Sequence, residues 1–229
     1  MPSIKPESSR VPLTRHRVLD GGVALADERG VAGVTMRLLA HRLGYEVMSL
    51  YNHVVSKADL LAGMVDTVVT GVDLPSSDEP WPRALRRSCL SAHEALNRHP
   101  WVSELWTTSA VGPARMDLME AWLEALRRSD LSPHSAHRGF HALSNHVVGF
   151  ALQQGAITGA GQTGAALEDR KTGARSFLET IDPQVHPRMV EHVEQHLHEA
   201  ELDSSFGYVL DLILDGLAAD RDAPESASS

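Results

Sequence analysis

The sequence has little cysteine and no long apolar run. Cys89 is the one cysteine in 229 residues, so neither an internal disulfide nor a zinc site built from several cysteines can form. No uninterrupted apolar stretch reaches the length of about 18 residues that spans a membrane, and the first six residues lack the apolar block of a secretory signal peptide. We therefore expect a cytoplasmic protein without a membrane partner, stabilised by packing of its 42% hydrophobic residues.

Motifs that mark common enzyme classes are also missing. The sequence has no Gly-x-Ser-x-Gly nucleophile motif, no phosphate-binding loop after a strand and no paired-carboxylate arrangement. The glycine-rich residues 155–164 follow a predicted helix, which excludes a dinucleotide-binding fingerprint. Cys89 lies in the middle of a predicted helix, where burial is more common than nucleophilic reactivity. We predict no catalytic residue, no metal and no cofactor.

Positive charge is scarce, and it is unevenly distributed. The formal net charge is −9, which taken alone argues against a nucleic-acid partner. Residues 1–60, however, carry eight Lys and Arg against six Asp and Glu, whereas residues 61–229 carry 13 against 24. A mildly basic N-terminal part thus precedes a strongly acidic remainder, which permits contact of the N-terminal part with DNA.

The pattern of apolar residues predicts an all-α fold. Strand-like alternation and hairpin turns are missing, while apolar residues recur three and four positions apart. We expect a flexible arm over 1–12, a first domain over 13–73, a Pro-rich boundary at 74–80, a second domain over 80–220 and a frayed tail over 221–229. The predicted helices are 13–29, 36–43, 48–53, one beginning after Ser56, 81–97, 113–128, 133–154, 187–199 and 204–219. Residues 155–175 are rich in Gly, Ala and Thr and are predicted to form a mobile loop.

Two short helices around Gly44 predict a helix-turn-helix motif. Thr35 is a suitable N-cap for the first helix, and Ala40 is small enough to let the two helices cross closely. Gly44 provides the backbone conformation that the turn requires. Leu50 and Val54 would anchor the second helix, which leaves a polar and aromatic surface for the major groove and its flanking phosphates.

This segment resembles the DNA-binding head of TetR-type transcriptional regulators. The resemblance is carried by Thr35, Arg37, Ala40, Leu43-Gly44, Leu50-Tyr51-Asn52-His53 and Ser56-Lys57-x-x-Leu60-Leu61. Val47-Met48 departs from the tetracycline-type head, which has a polar residue followed by proline there. Val and Met can contact a thymine methyl group but cannot hydrogen-bond a purine edge, so we expect a different operator. The resemblance implies DNA contacts by Thr35, Arg37, Val47, Met48, Ser49, Tyr51, His53 and Lys57.

The second domain resembles, more loosely, the C-terminal core of the tetracycline-repressor subgroup. The resemblance is carried by His141-Ala142-Leu143-Ser144 and by residues 206–217. It implies a ligand-binding body and a homodimer, joined through 133–154 and 204–219 as a four-helix bundle. The subgroup's drug-contacting histidine and arginine have no counterpart in 105–110, and Asp73 replaces another drug-contacting histidine, so tetracycline is not the expected effector. Residues predicted to contact a largely apolar effector are Trp101, Trp106, Met116, Met119, His137, His141, Asn145 and Phe150, although the aromatic and methionine side chains are equally suited to the core.

Thirteen histidines allow one alternative, a helical metal-dependent hydrolase. His134, His137 and His141 share a predicted helix face, as do His192 and His196, and histidines at this spacing can chelate zinc when a further ligand completes the shell. No His-Glu-x-x-His motif is present. The regulator hypothesis accounts for more of the sequence: a homodimeric repressor would bind operator DNA when free and release it when a small-molecule effector is bound. Activation instead of repression remains open.

Overall fold

The computed structural model describes residues 12–158, 165–198 and 203–221, and these residues form helices joined by short connections. The helices, in chain order, are α1 Arg15–Arg29, α2 Met36–Leu43, α3 Val47–Leu50, α4 Lys57–Val69, α5 Trp81–Arg98, α6 Trp101–Leu105, α7 Pro113–Arg127, α8 Pro133–Thr158, α9 Ala165–Leu178, α10 Pro187–His198 and α11 Asp203–Arg221, with a 3-10 turn at Val31–Gly33. The all-α prediction is confirmed for these ranges. None of the described helices is long and apolar enough to cross a membrane.

Helices α2 and α4 begin where the sequence predicts, and α1 begins two residues after its predicted start. Each of the three has a hydroxyl cap beside it in the chain. The side chains of Thr14, Thr35 and Ser56 accept hydrogen bonds from the backbone N–H groups of Arg17, Leu38 and Asp59. Gly44 ends α2 in the left-handed conformation, with φ 75° and ψ 30°. α1, α2, α3 and α4 form the N-terminal unit, called the head below, around fully buried residues such as Val18, Leu39, Leu50 and Leu60.

The C-terminal unit, called the body below, is built on α8. Helices α5, α7 and α11 pack against α8, and α4 of the head packs against α6 and α7. Trp122, Leu126, Leu143, Phe206 and Leu210 are buried where these helices meet. The apolar core runs without interruption from the head into the body, so the two units pack directly against each other.

Two predictions about local structure are wrong. The loop predicted over 155–175 is helical at 155–158, where α8 reaches its full length of 26 residues, and again from Ala165, where α9 begins. Residues 159–164 lie outside the described ranges. Helix α3 starts one residue earlier than predicted and ends at Leu50. His53 N–H bonds to the Leu50 carbonyl oxygen, which tightens 51–53 into a turn.

The sequence prediction also omitted α6, which is only five residues long, and placed several helix ends one or two residues away from their observed positions. The predicted boundary at 74–80 joins α4 to α5 and is held by side chains of the body. Arg87 donates to the Leu74 carbonyl and to Glu79, and Arg128 donates to the Ser76 carbonyl. The predicted arm at 1–12 and the tail at 221–229 fall almost entirely outside the described residues.

Candidate DNA-binding and ligand-binding sites

The residues predicted to contact DNA are placed on α2, on α3 and the turn after it, and at the start of α4. Met48 is 73% exposed and Tyr51 41% exposed, while Arg37 and Lys57 are also exposed. Val47, Ser49 and His53 are only half-buried. The Thr35 hydroxyl caps α2, so its oxygen already accepts the Leu38 N–H. An exposed turn of helix with polar, aromatic and cationic neighbours is the arrangement that enters a major groove.

A hydrogen-bond network that the sequence analysis did not predict lies behind this surface. Arg15, the first residue of α1, donates from Nη1 to the His53 carbonyl oxygen at 2.7 Å. Both of its Nη atoms also bind the Asp59 carboxylate, at 3.0 and 2.7 Å. Asp59 in turn accepts the Val55 N–H at 2.8 Å. The Arg15 guanidinium holds the pKa of Asp59 below its ordinary value of 3.8, since it stabilises the charged carboxylate.

The eight residues predicted to contact an effector fall into separate groups. Trp101 is buried where the body meets the head: its indole N–H donates to Asp27 of α1 at 2.7 Å, and His99 Nδ1 donates to the same carboxylate oxygen at 2.8 Å. This contact between head and body accounts for Trp101 without an effector.

Trp106 and the two methionines lie near the start of α7. Trp106 is half-buried, and the guanidinium carbon of the buried Arg115 lies 5.3 Å from the centre of its ring. Met119 is half-buried, whereas Met116 is 54% exposed. Arg115 donates to the carbonyl oxygens of Trp106 and Ser109, at 2.8 and 3.0 Å, so it fixes the turn after α6.

The polar candidates on α8 face outward. His137, His141 and Asn145 are exposed, and the rings of the two histidines are 4.6 Å apart. Phe140, Leu143 and Val147 form the buried face of the same helix. The three polar side chains therefore point away from the interior of their own subunit. Whether any of them contacts an effector stays a prediction.

Phe150 belongs to an aromatic cluster inside the body. Phe206 of α11 is stacked between His93 of α5, at 3.8 Å, and His146 of α8, at 4.5 Å, and Phe150 packs edge-on against all three rings. His146 Nε2 donates to the Phe206 carbonyl oxygen at 3.0 Å. His93, His146 and Phe206 were not predicted, because their proximity depends on three helices that are distant in sequence.

A carboxylate of the head caps a helix of the body. Asp66 of α4 accepts the backbone N–H groups of Ala114 and Arg115, at 3.2 and 3.0 Å, at the first turn of α7. Gly112 lies directly beneath it: a Cβ atom at this position would be 2.4 Å from the Asp66 carboxyl carbon. A side chain at position 112 would therefore displace Asp66 from the helix end.

The junction between head and body also carries two open grooves. One, of about 440 Å³, lies between α4 and residues 105–110, and Val55, Leu61 and Leu105 contribute to its apolar lining. The other, of about 430 Å³, is more polar and includes Arg15, Asp59 and Asp66. Neither groove contains any of the eight predicted effector residues.

The metal-dependent alternative gains no support from the described part of the chain. Over 12–158, 165–198 and 203–221, no three His, Cys, Asp or Glu side chains are grouped closely enough to hold a metal ion. Cys89 is fully buried, and burial raises the pKa of its thiol, which disfavours the nucleophilic thiolate.

Comparison with known proteins gives consistent matches over both units. A sequence model of the tetR family of bacterial regulatory proteins matches residues 18–64, and a model of the tetracyclin repressor-like C-terminal domain matches residues 74–221. The transcriptional repressor DrrR1 of Streptomyces coeruleorubidus is 36% identical over 111 residues, which cover 47% of this chain and 41% of that protein. The class D tetracycline repressor protein of Escherichia coli is 29% identical over 161 residues, covering 69% of this chain and 71% of the repressor.

Solved structures share the arrangement of the whole chain. The crystal structure of ActR from Streptomyces coelicolor in complex with actinorhodin is 25% identical in sequence, with a TM-score of 0.75. The comparison covers 93% of this chain and all of the ActR chain. The arrangement of head and body is therefore shared over nearly the full length.

Proposed function

The chain belongs to the TetR family of DNA-binding transcriptional regulators, and we propose that it acts as a homodimeric repressor that a small, largely apolar ligand releases from its operator. The exposed helix-turn-helix surface around Met48 and Tyr51 carries this proposal, because both side chains are exposed at a short helix and the exposed Lys57 begins the next one. Ligand-bound relatives such as ActR with actinorhodin support the responsive body.

Each head would place α3 in a major groove. Met48 is positioned to contact a thymine methyl group, while Ser49, Tyr51 and His53 supply hydrogen bonds to phosphates or bases. Lys57 stands at the N-terminal turn of α4, where its charge adds to the partial positive charge of the helix end and favours a phosphate. Two such heads, about 34–36 Å apart, would fit successive major grooves of a pseudo-palindromic operator.

The homodimer is proposed to form through α8 and α11. On α11, Tyr208 and Leu212 are 66% and 54% exposed, and Leu152 of α8 is also exposed. Large apolar side chains on two neighbouring helices form a surface that a second copy would bury as a four-helix bundle. His141 and Asn145 lie on the exposed side of α8, so they would face the partner subunit or a ligand near the dimer axis.

Release requires that ligand binding in the body moves the head. Two carboxylates of the head are bound to the body: Asp27 to the residues around α6, and Asp66 to the first turn of α7. A ligand that shifts α6 or α7 would therefore pull on α1 and α4 together. Such a ligand changes the spacing of the heads only to the extent that it binds the two arrangements with different affinity.

Fluorescence anisotropy with the DNA upstream of the protein's own gene tests DNA binding. We expect saturable binding that weakens steeply with salt, and strong loss of binding in Tyr51→Ala with the dimer intact. Lys57→Ala should lower the slope of log affinity against log salt by about one, because one phosphate contact is lost. Arg188→Ala in α10 removes the same charge far from the head and should leave the slope unchanged. Wild-type protein that binds no DNA at any salt concentration contradicts the proposal.

Analytical ultracentrifugation tests the subunit contact. Leu212→Asp would place a charge in the proposed bundle and should convert the dimer to monomers. Val185→Asp is a matched control, because Val185 is equally exposed and apolar but lies between α9 and α10. Dissociation by Val185→Asp instead of Leu212→Asp would assign the contact to the α9–α10 region.

A further inference from the structure

We propose that Arg15 and Asp59 position α3, the recognition helix, so that this partly exposed ion pair sets operator affinity without touching DNA. The inference rests on the proposed function and extends it to residues outside the predicted DNA-contact surface. One guanidinium, on the first turn of α1, binds both the end of the recognition segment and the start of α4.

Hydrogen bonds from α1 and α4 fix the backbone of the turn between α3 and α4. Residues 51–56 contain the predicted DNA contacts Tyr51 and His53 and precede Lys57. This turn is held at two backbone atoms: the His53 carbonyl accepts Arg15 Nη1 at 2.7 Å, and the Val55 N–H donates to Asp59 Oδ2 at 2.8 Å. Ser56 adds the cap of α4, accepting the Asp59 N–H at 3.1 Å.

Arg15 and Asp59 depend on each other for their positions. The carboxylate and the guanidinium form two parallel hydrogen bonds, a geometry that fixes both groups in direction as well as in distance. Without Asp59, the guanidinium loses its anchor and the Val55 N–H loses its acceptor. Without Arg15, the His53 carbonyl loses its donor and Asp59 loses the charge that orients it.

A lysine at position 15 cannot replace this arginine in its positioning role. A lysine ammonium keeps the positive charge but lacks the planar fork that reaches two carboxylate oxygens and a carbonyl at once. A direct phosphate contact by Arg15 would tolerate Arg15→Lys, whereas the positioning role would not. The direction of the change in DNA affinity in Asp59→Asn is equally informative. If only electrostatics mattered, removal of a negative charge near DNA should strengthen binding. If the carboxylate orders the turn, its removal should weaken binding.

Binding of Arg15→Lys, Arg15→Gln and Asp59→Asn to a duplex enriched from a random-sequence library by the wild-type protein tests the proposal. We expect each variant to bind the enriched duplex about tenfold more weakly than wild type, and to bind a scrambled duplex nearly as well as wild type. The salt slopes of Arg15→Lys and Asp59→Asn should also be nearly unchanged. The double variant Arg15→Gln with Asp59→Asn should be about as weak as either single variant, since both break the same network.

Glu28→Gln is the matched control. Glu28 forms an equally short double hydrogen bond with Arg42, at 2.7 Å for both contacts, and this pair joins α1 to α2 without touching residues 51–56. It should leave operator affinity unchanged. Amide hydrogen exchange of the free protein provides a second readout: Asp59→Asn should speed exchange at Val55 and Val54 while α5 stays protected, which also shows that the variant is folded.

The outcomes separate the two proposals. Enrichment of no sequence by wild-type protein overturns the proposed function and this inference with it. If wild-type protein enriches a sequence, and Asp59→Asn and Arg15→Lys bind that duplex with wild-type affinity, the positioning role alone is overturned. If Arg15→Gln weakens binding and lowers the salt slope, while Arg15→Lys binds with wild-type affinity, Arg15 contacts a phosphate instead.

Discussion

Head and body differ in where their helix ends are determined. In the head, α1, α2 and α4 are capped by Thr14, Thr35 and Ser56, which are their own neighbours in the chain. In the body, α8 has a local cap, because Ser132 accepts the Ser135 N–H, but α5, α6 and α7 have no side-chain cap from the residue that precedes them, and α7 uses Asp66 from 48 residues earlier. Local caps therefore define three helix starts of the head, whereas a tertiary contact defines the start of α7 in the body.

This difference suits a protein whose two units have different tasks. A head with locally capped helices has helix starts that do not depend on the body. A body whose helix ends are bound by side chains of the head cannot change shape without affecting the head. The contacts of Asp27 and Asp66 thus couple the two units in both directions, as linkage between effector and operator requires.

The largest expected effect comes from the buried charge of the body. Arg115→Met would leave the carbonyl oxygens of Trp106 and Ser109 without their donor, and we expect a loss of about 3 kcal/mol in the free energy of unfolding. Urea denaturation measures this loss. Arg98→Met breaks an exposed pair on α5 and should cost less than about 0.5 kcal/mol. Equal losses in both variants would contradict a special role for Arg115.

Loss of the tertiary cap should have the next largest effect. Asp66→Ala removes the acceptor for the Ala114 and Arg115 N–H groups, and we expect a loss of about 1–2 kcal/mol together with faster amide exchange at both residues. Gly112→Ala should have a similar effect, because its Cβ would occupy the place of the Asp66 carboxyl group. The two substitutions combined should cost about as much as one, and full additivity would separate Gly112 from the cap.

A local cap should have a smaller effect that stays in the head. Thr35→Ala removes the hydroxyl that accepts the Leu38 N–H, and we expect a loss of about 1 kcal/mol, with faster amide exchange in α2 only. Thr35→Ser keeps the hydroxyl and should restore stability. Faster exchange at the start of α7 in Thr35→Ala would break the distinction between local and tertiary capping.

The smallest effect concerns pH. Arg15 lowers the pKa of Asp59, so the folded protein binds this proton less readily than the unfolded chain does. The stabilisation is fully present above the ordinary carboxyl pKa and is lost as pH falls through the depressed value. The stability difference between wild type and Asp59→Asn should therefore be constant from about pH 5 to pH 8 and shrink below about pH 4. A difference that grows towards low pH would contradict the ion pair.

Features that depend on neighbouring residues could be predicted from the sequence, whereas contacts between distant residues could not. Thr35, Gly44 and Ser56 were placed correctly, because caps and turns depend on neighbouring residues. The pattern Ser56-x-x-Asp59 already resembles a capping box, and it was the available signal for Asp59, although the carboxylate reaches the Val55 N–H instead of the cap residue. Arg15 gave no comparable signal, since its partners lie 38 and 44 residues away.

The exposure of the residues proposed to contact an effector was harder to predict than that of the head, for a physical reason. Periodicity shows that His137 and His141 share a face of α8, but it does not show which face the rest of the body covers. The structure covers the face of Phe140 and Leu143 and leaves the histidines exposed. Likewise, glycine-rich residues near 155 weaken local helix propensity, yet α8 extends to Thr158.

The sequence by itself determined α1, α2 and α4 of the head, their caps and the turn at Gly44, because each depends on interactions within a few residues. Only the tertiary structure decided that Asp66 caps α7, that Arg15 holds the turn after the recognition helix, and that Phe206 is stacked between two histidines. These contacts join residues far apart in the chain, so they exist only after the packing of apolar helix faces has brought their backbones together.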